Sequence, residues 1–177
     1  MHRRHFLYRL SALGLAWLGF PACTRSEKAE ATQAAEGATI AKLEKPLDEW
    51  RKLVSPQAYA VLFEEDTERP GSSPLNKEKR DGTFICAACY LPLFESTAKF
   101  ESGTGWPSFF QPIAGHIAKK TDYNLIFPRI EYHCIRCGGH QGHVFDDGPP
   151  PTCQRWCNNG VALKFVPTGE TLPALRM

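Results

Sequence analysis

The sequence predicts a mainly β domain preceded by short helices. From Gly82 onward, short runs of β-branched and aromatic residues alternate with clusters of Gly, Pro, Asp and Asn, the pattern of strands joined by turns. Before Gly82 the apolar residues recur at helical spacing instead. The chain has 177 residues, 42% of them hydrophobic, enough to bury the core of one compact domain with further segments attached.

Residues 1–23 read as an export signal rather than part of that domain. Arg3-Arg4-His5-Phe6-Leu7 is a charged start with a twin-arginine pattern, and residues 10–20 form an apolar run too brief to span a bilayer. Ala22-Cys23 sets a small residue before a cysteine, as at lipoprotein cleavage sites, although Phe20 and Pro21 suit such cleavage poorly. These features imply a periplasmic or cell-envelope location, with a lipid on Cys23 as one variant of it. Residues 24–45 are rich in Ala, Glu, Thr and Lys and lack aromatics, so they read as a disordered tether. The formal charge of +2 leans on Arg3, Arg4 and Arg9; without them 18 of the 21 basic residues stand against 19 acidic ones. A near-neutral body lacks the electrostatic footprint of a nucleic-acid binder.

Folded structure is expected over residues 46–177, as one monomeric domain. Leu47, Trp50, Leu53 and Val54 recur at helical spacing. Ser55-Pro56 then opens a second helix, Ser as N-cap and Pro in the first position, running to about Glu65 with Tyr59, Leu62 and Phe63 on one face. Residues 69–74, Arg-Pro-Gly-Ser-Ser-Pro, are a loop. Strands are expected at 83–85, 123–127, 130–133, 143–145 and 161–166, mostly antiparallel.

Cys86-Ala87-Ala88-Cys89 and Cys134-Ile135-Arg136-Cys137 are two hooks, each able to offer two thiolates from one short turn. Four thiolates in two close pairs suit a structural zinc. Two short disulfides, or one redox-active pair, are the competing readings in an oxidising compartment. After the second hook, His140 and His143 lie among glycines next to a site that needs no further ligand. They are candidates for proton transfer near pH 7, against a plainer reading as spare ligands or loop histidines. In the glycine-rich stretch Ser102 to Phe110, Trp106 followed by Pro107 reads first as core.

Cys153 and Cys157 are left over once the hooks are assigned. Cys157 has an Arg155-Trp156 pair directly before it and Asn159 two residues after it; on a strand Cys157 and Asn159 face one way. With Arg155 and two histidines available to stabilise a thiolate, Cys157 is a candidate nucleophile for a redox or hydrolytic reaction. The rival from another class is a non-catalytic zinc-ribbon binding module.

Taken together, Glu68-Arg69-Pro70, Arg80-Asp81-Gly82-Thr83-Phe84 with Cys86 and Cys89, Ser102 to Phe109, His133 to Phe145, and Arg155-Trp156-Cys157-Asn158-Asn159-Gly160 resemble the B-type peptide-methionine-R-sulfoxide reductases in order and spacing. The resemblance implies two antiparallel sheets with short N-terminal helices and a structural zinc on Cys86, Cys89, Cys134 and Cys137. It makes Cys157 the catalytic cysteine, passing through a sulfenic acid, with His143 and His140 binding and protonating the sulfoxide oxygen. Asn159 would orient that network, Trp106 would receive the substrate methyl, and Phe145 would complete the apolar side. Oxidised proteins or peptides would be substrates and a thioredoxin-like thiol the reductant. Thr104 stands where many members carry a resolving cysteine, and Cys153 stands where Gly is usual. Four extended residues span ~13 Å whereas a disulfide needs Cα atoms within ~7 Å, so Cys153 can resolve Cys157 only if the intervening segment turns or moves.

Overall fold

The computed structural model describes residues 40–123 and 128–177. The expected export signal, and the tether up to residue 39, lie outside the described residues.

Two helices form as their local sequence dictates. α1 (Leu47–Leu53) buries Trp50, and α2 (Pro56–Glu64) begins where the Ser55 hydroxyl accepts from the Ala58 amide at 3.2 Å with Pro56 in the first position. Glu65, at φ 57°, turns the chain left-handed and ends α2. Trp50 stacks on Phe63 with centroids 5.2 Å apart, which joins the helices. Ordered packing starts before Pro46, unlike the expected tether to residue 45. Ile40 and Leu43 pack on the core, and the Leu43 amide donates to the Arg136 carbonyl at 2.6 Å. Two apolar residues three apart were enough to pin this segment against the second hook.

Two antiparallel sheets follow. β1 (Gly82–Cys86), β2 (Pro92–Glu95) and β9 (Leu163–Pro167) form a three-stranded sheet in the order β2-β1-β9. β3 (Lys99–Phe100), β4 (Ser108–Phe109), β5 (Ile117–Asp122), β6 (Arg129–Cys134), β7 (His140–Phe145) and β8 (Arg155–Asn158) form the other, in the order β3-β4-β8-β7-β6-β5. This is the mainly β architecture with two antiparallel sheets and short N-terminal helices that the sequence led us to expect.

Individual strands differ from expectation for local reasons. Of the strand expected at 123–127 only Tyr123 is described, exposed and directly after β5, which ends at Asp122; residues 124–127 lie outside the described residues. β5 is an edge strand with its Lys119-Lys120-Thr121 stretch exposed, so its sequence lacks an apolar signal. The strand expected at 161–166 starts only at Leu163, because Gly160–Ala162 makes a turn of 3-10 helix.

Aromatic rings fill the space between the sheets. Phe94 of β2 stacks on Phe109 of β4 with centroids 4.1 Å apart, and Phe84 of β1 meets Phe109 edge-on at 5.0 Å. Tyr132 of β6 continues the pile to Trp156 of β8 at 5.0 Å. Rings of this size each bury roughly 150–250 Å², and this pile holds the back of β8 rigidly in place.

Candidate active site and metal centre

Register in the six-stranded sheet places Ser108, Cys157, His143, Glu131 and Lys120 in one row, one residue from each of β4, β8, β7, β6 and β5. Residues directly opposite in antiparallel strands share a face, with Cβ atoms roughly 5 Å apart. Trp156, next to Cys157, faces the other way into the aromatic core. Close approach of β7 to β8 depends on Gly142: a Cβ there would lie 1.9 Å from the Cys157 carbonyl oxygen.

His140 and His143 are three residues apart and would face opposite sides of a regular strand. β7 is not regular. Tyr132 pairs with Gly142 but His133 pairs with His140, which leaves Gln141 as an extra, bulged residue. The bulge returns His140 to the His143 side, and the two rings meet edge-on with centroids 5.5 Å apart.

Each histidine leans on a carboxylate. His140 is buried and its Nδ1 pairs with Glu131 Oε1 at 2.8 Å; Glu131 also pairs with Lys120 at 3.1 Å. The buried His140 Nε2 has no hydrogen-bond partner among the described residues. His143 Nε2 meets Asp122 Oδ2 at 2.8 Å, and that oxygen also accepts from Arg129 at 2.7 Å. Burial pushes the His143 pKa below the ordinary histidine value, and the charge of Arg129 pushes the same way; the bond to Asp122 only partly opposes them. His143 therefore rests mainly neutral at pH 7, with Nδ1 left to exchange a proton.

A cavity of about 150 Å³ opens beside this row, lined by Cys157, His143, Trp106, Phe145 and Asn159 together with Thr67 and Arg129. His140 lies behind His143 rather than in the wall. Arg155 shares the Cys157 face, is held by Asp147 through two hydrogen bonds of 2.8 and 2.9 Å, and covers the Phe145 ring at 4.3 Å. Burial pushes the Cys157 thiol above its ordinary pKa, while the Arg155 charge and hydrogen bonds from Thr104 and Arg155 pull it partly back.

Asn159 reaches the cavity by a different route from the one its spacing suggests. β8 ends at Asn158, and Asn159 caps the 3-10 turn that follows. Its amide and side-chain nitrogens donate to the Gln141 carbonyl at 2.8 and 3.1 Å, and its Oδ1 accepts from the Glu68 amide at 3.0 Å. Glu68 in turn accepts the Trp106 indole N–H on its carbonyl at 3.1 Å.

Cys157 is a free thiol. The segment before it does turn: Cys153 is left-handed at φ 54°, and the Gln154 amide donates to the Thr152 hydroxyl at 3.2 Å.

The two hooks have matching geometry. After each, a left-handed residue, Tyr90 at φ 66° or Gly138 at φ 72°, donates its amide to the first cysteine's carbonyl at 2.9 Å. Tyrosine is a strained choice there, costing roughly 1–2 kcal/mol. Its ring is covered by the Arg176 guanidinium at 4.2 Å and the Lys164 ammonium at 4.8 Å, and the Arg176 amide bonds the Cys89 carbonyl at 3.1 Å. The four sulfurs of Cys86, Cys89, Cys134 and Cys137 lie within 4.8 Å of one another, with Cys86 to Cys137 at 3.7 Å and Cys89 to Cys134 at 3.5 Å. A disulfide needs about 2.0 Å, whereas four thiolates about 2.3 Å from one ion are about 3.8 Å apart. The residues thus fit a tetrahedral metal ion, and the paired-disulfide reading does not fit. The Gln141 amide adds a donor toward Cys86 Sγ at 3.6 Å.

Sequence reasoning missed Glu131, Asp122 and Arg129. Glu131 left a signal, a carboxylate amid the strand pattern Ile-Glu-Tyr-His. Asp122 and Arg129 left none, since only the β5–β6 register sets them opposite each other.

A SelR domain model matches residues 54–167. Peptide methionine sulfoxide reductase MsrB of Methanosarcina barkeri is 49% identical over 124 residues, 70% of this chain and 87% of that protein. The proteins of the same name from Pseudomonas putida and Pseudomonas fluorescens are 47% and 49% identical over 129 and 127 residues, each 71% of this chain and 96% and 98% of theirs. A domain match that spans the whole row and both hooks, together with relatives of this identity and coverage, means that the chain belongs to the SelR-domain family, that of the MsrB peptide methionine sulfoxide reductases.

Proposed function

We propose that the chain reduces methionine-R-sulfoxide in peptides and proteins to methionine, with Cys157 as nucleophile. The supporting observation is the placement of Cys157 directly opposite His143, at the edge of a cavity walled by Trp106 and Phe145. Membership of the reductase family makes the chain an oxidoreductase and sets aside the binding-module reading.

The Cys157 sulfur attacks the sulfoxide sulfur, and the oxygen passes to Cys157 as a sulfenic acid. Cysteine sulfur is oxidised by two electrons and the substrate sulfur reduced by two. The thiol's proton ends on the transferred oxygen, and His143, neutral at rest, is placed to take it and deliver it. Oxygen then never leaves as a bare anion. His140, fixed by Glu131, supports His143, and Asn159 holds the far rim. An apolar wall of Trp106 and Phe145 suits the substrate's methyl and makes the two sulfoxide epimers unequal. Two thiols of a thioredoxin-like donor return the sulfenic acid to thiol, releasing water and a disulfide.

We further assign zinc to Cys86, Cys89, Cys134 and Cys137, where it would supply folding energy and no chemistry. Residues 1–23 support export to the periplasm or cell envelope, with lipid attachment at Cys23 as a variant. Offering racemic peptide methionine sulfoxide with dithiothreitol and separating the remaining epimers tests the reaction. Selective loss of the R epimer is expected; loss of neither, or of S alone, overturns it.

A further inference from the structure

Glu68 uses every polar group it has within one small volume. Its carbonyl holds the Trp106 indole at 3.1 Å, its amide holds Asn159 Oδ1 at 3.0 Å, and its carboxylate accepts the Gly160 and Val161 amides at 2.6 and 3.0 Å. It is 4% exposed, and no basic side chain is paired with it among the described ion pairs. A buried carboxylate without a cation is costly, and here two backbone amides are its compensation.

These contacts join parts of the chain that are far apart in sequence. Trp106 comes from the glycine-rich loop before β4, whereas Asn159, Gly160 and Val161 directly follow the strand that carries Cys157. The Gly71 amide and the Asn76 side chain bond the Gly105 carbonyl at 2.7 and 2.8 Å, so the loop after Glu68 also grips the residue before Trp106. There is no slack at Gly160: a Cβ there would lie 3.2 Å from Glu68 Oε1 and 2.0 Å from Ser73 Oγ. Thr67, beside Glu68, lines the cavity.

We propose that Glu68 is a positioning residue that sets the distance between the Trp106 wall and the Cys157 end of the cavity, and so the fit of the sulfoxide-bearing side chain. The proposal rests on the functional reading above. Displacing Glu68 moves both walls at once, and small displacements of reacting groups weaken productive binding strongly.

The test compares wild type with Glu68→Gln, which keeps the shape but turns one acceptor oxygen into a donor facing an amide. KM for a methionine-R-sulfoxide peptide should rise about tenfold, the worth of one hydrogen bond to a charged group, with kcat nearly unchanged. The alkylation rate of Cys157 by a bulky maleimide, read by mass spectrometry, should rise relative to that by iodoacetamide as the cavity loosens. A merely structural Glu68 would lower the melting temperature while leaving KM and the alkylation ratio alone, and that result overturns the proposal. If Glu68→Gln does not fold, Glu68→Asp, which keeps the charge but draws the loop in, carries the same comparison. Absence of turnover in wild type would count against the reductase reading only, since the alkylation ratio still reports on Glu68.

Discussion

Cys157 lies directly across the β7–β8 pair from His143, so the two residues we propose as nucleophile and proton acceptor are held by sheet register rather than by loops. Burial nevertheless keeps the thiol above its ordinary pKa, with Arg155 opposing. The rate of Cys157 alkylation by iodoacetamide should therefore rise with pH through a midpoint more alkaline than that of an ordinary cysteine. Arg155→Met should move the midpoint further up. A wild-type midpoint on the acid side of a free cysteine would contradict this account.

Thr104 adds a directional element. Its hydroxyl lies 2.9 Å from Ser102 Oγ, Ser102 lies 2.8 Å from Ser108 Oγ, and Ser108 donates to the Trp106 carbonyl at 3.1 Å. A hydroxyl has one proton, so Ser102 donates to Ser108 and Thr104 donates to Ser102. That order points the Thr104 proton away from Cys157, so Thr104 must reverse the chain to donate to the thiolate, the bond that pulls the Cys157 pKa down. Thr104→Val, which removes that donor, should raise the alkylation midpoint, and Thr104→Ser should leave it in place; equal midpoints for all three proteins would exclude the relay.

The hooks and helices were legible because their signals are local: Cys-x-x-Cys spacing, a Ser-Pro start, an apolar face. Cys157, Trp106 and the histidines were legible as residue types in order. Their joint placement was not, because a single bulged residue, Gln141, decides whether His140 and His143 share a face, and alternation argues the opposite. β2, β3, β4 and β5 were missed for a related reason. They are short or lie at an edge, so few of their residues have to be apolar. Asn159 was placed correctly in the cavity wall by spacing, but the cause is a capped turn beyond the strand end rather than strand alternation.

Loss of the metal we assign to the four cysteines should act on the fold and not on the row. Cys86 is fully buried, and its sulfur is held 3.7 Å from that of Cys137. Cys86→Ser should lose the bound ion and lower the unfolding midpoint sharply, because metal binding energy in such a site is folding energy. Inductively coupled plasma mass spectrometry and a thermal melt read the two effects. A metal-free Cys86→Ser protein with wild-type stability would show that the four sulfurs are not a structural centre.

Stability should also fall with acid, and His143 gives the sign. Its folded pKa lies below the unfolded value because burial, together with the charges of Arg129 and His140, disfavours the cation, against the pull of Asp122. A group of this kind contributes stability that is fully present above the ordinary histidine pKa and is lost as pH falls through that value toward the folded one. Between pH 8 and pH 5 the melting temperature should drop, and His143→Gln, which cannot titrate but can still donate to Asp122, should flatten that drop by about a few degrees. Parallel curves for the two proteins would show that the acid sensitivity arises elsewhere, and that His143 is not held neutral by its surroundings.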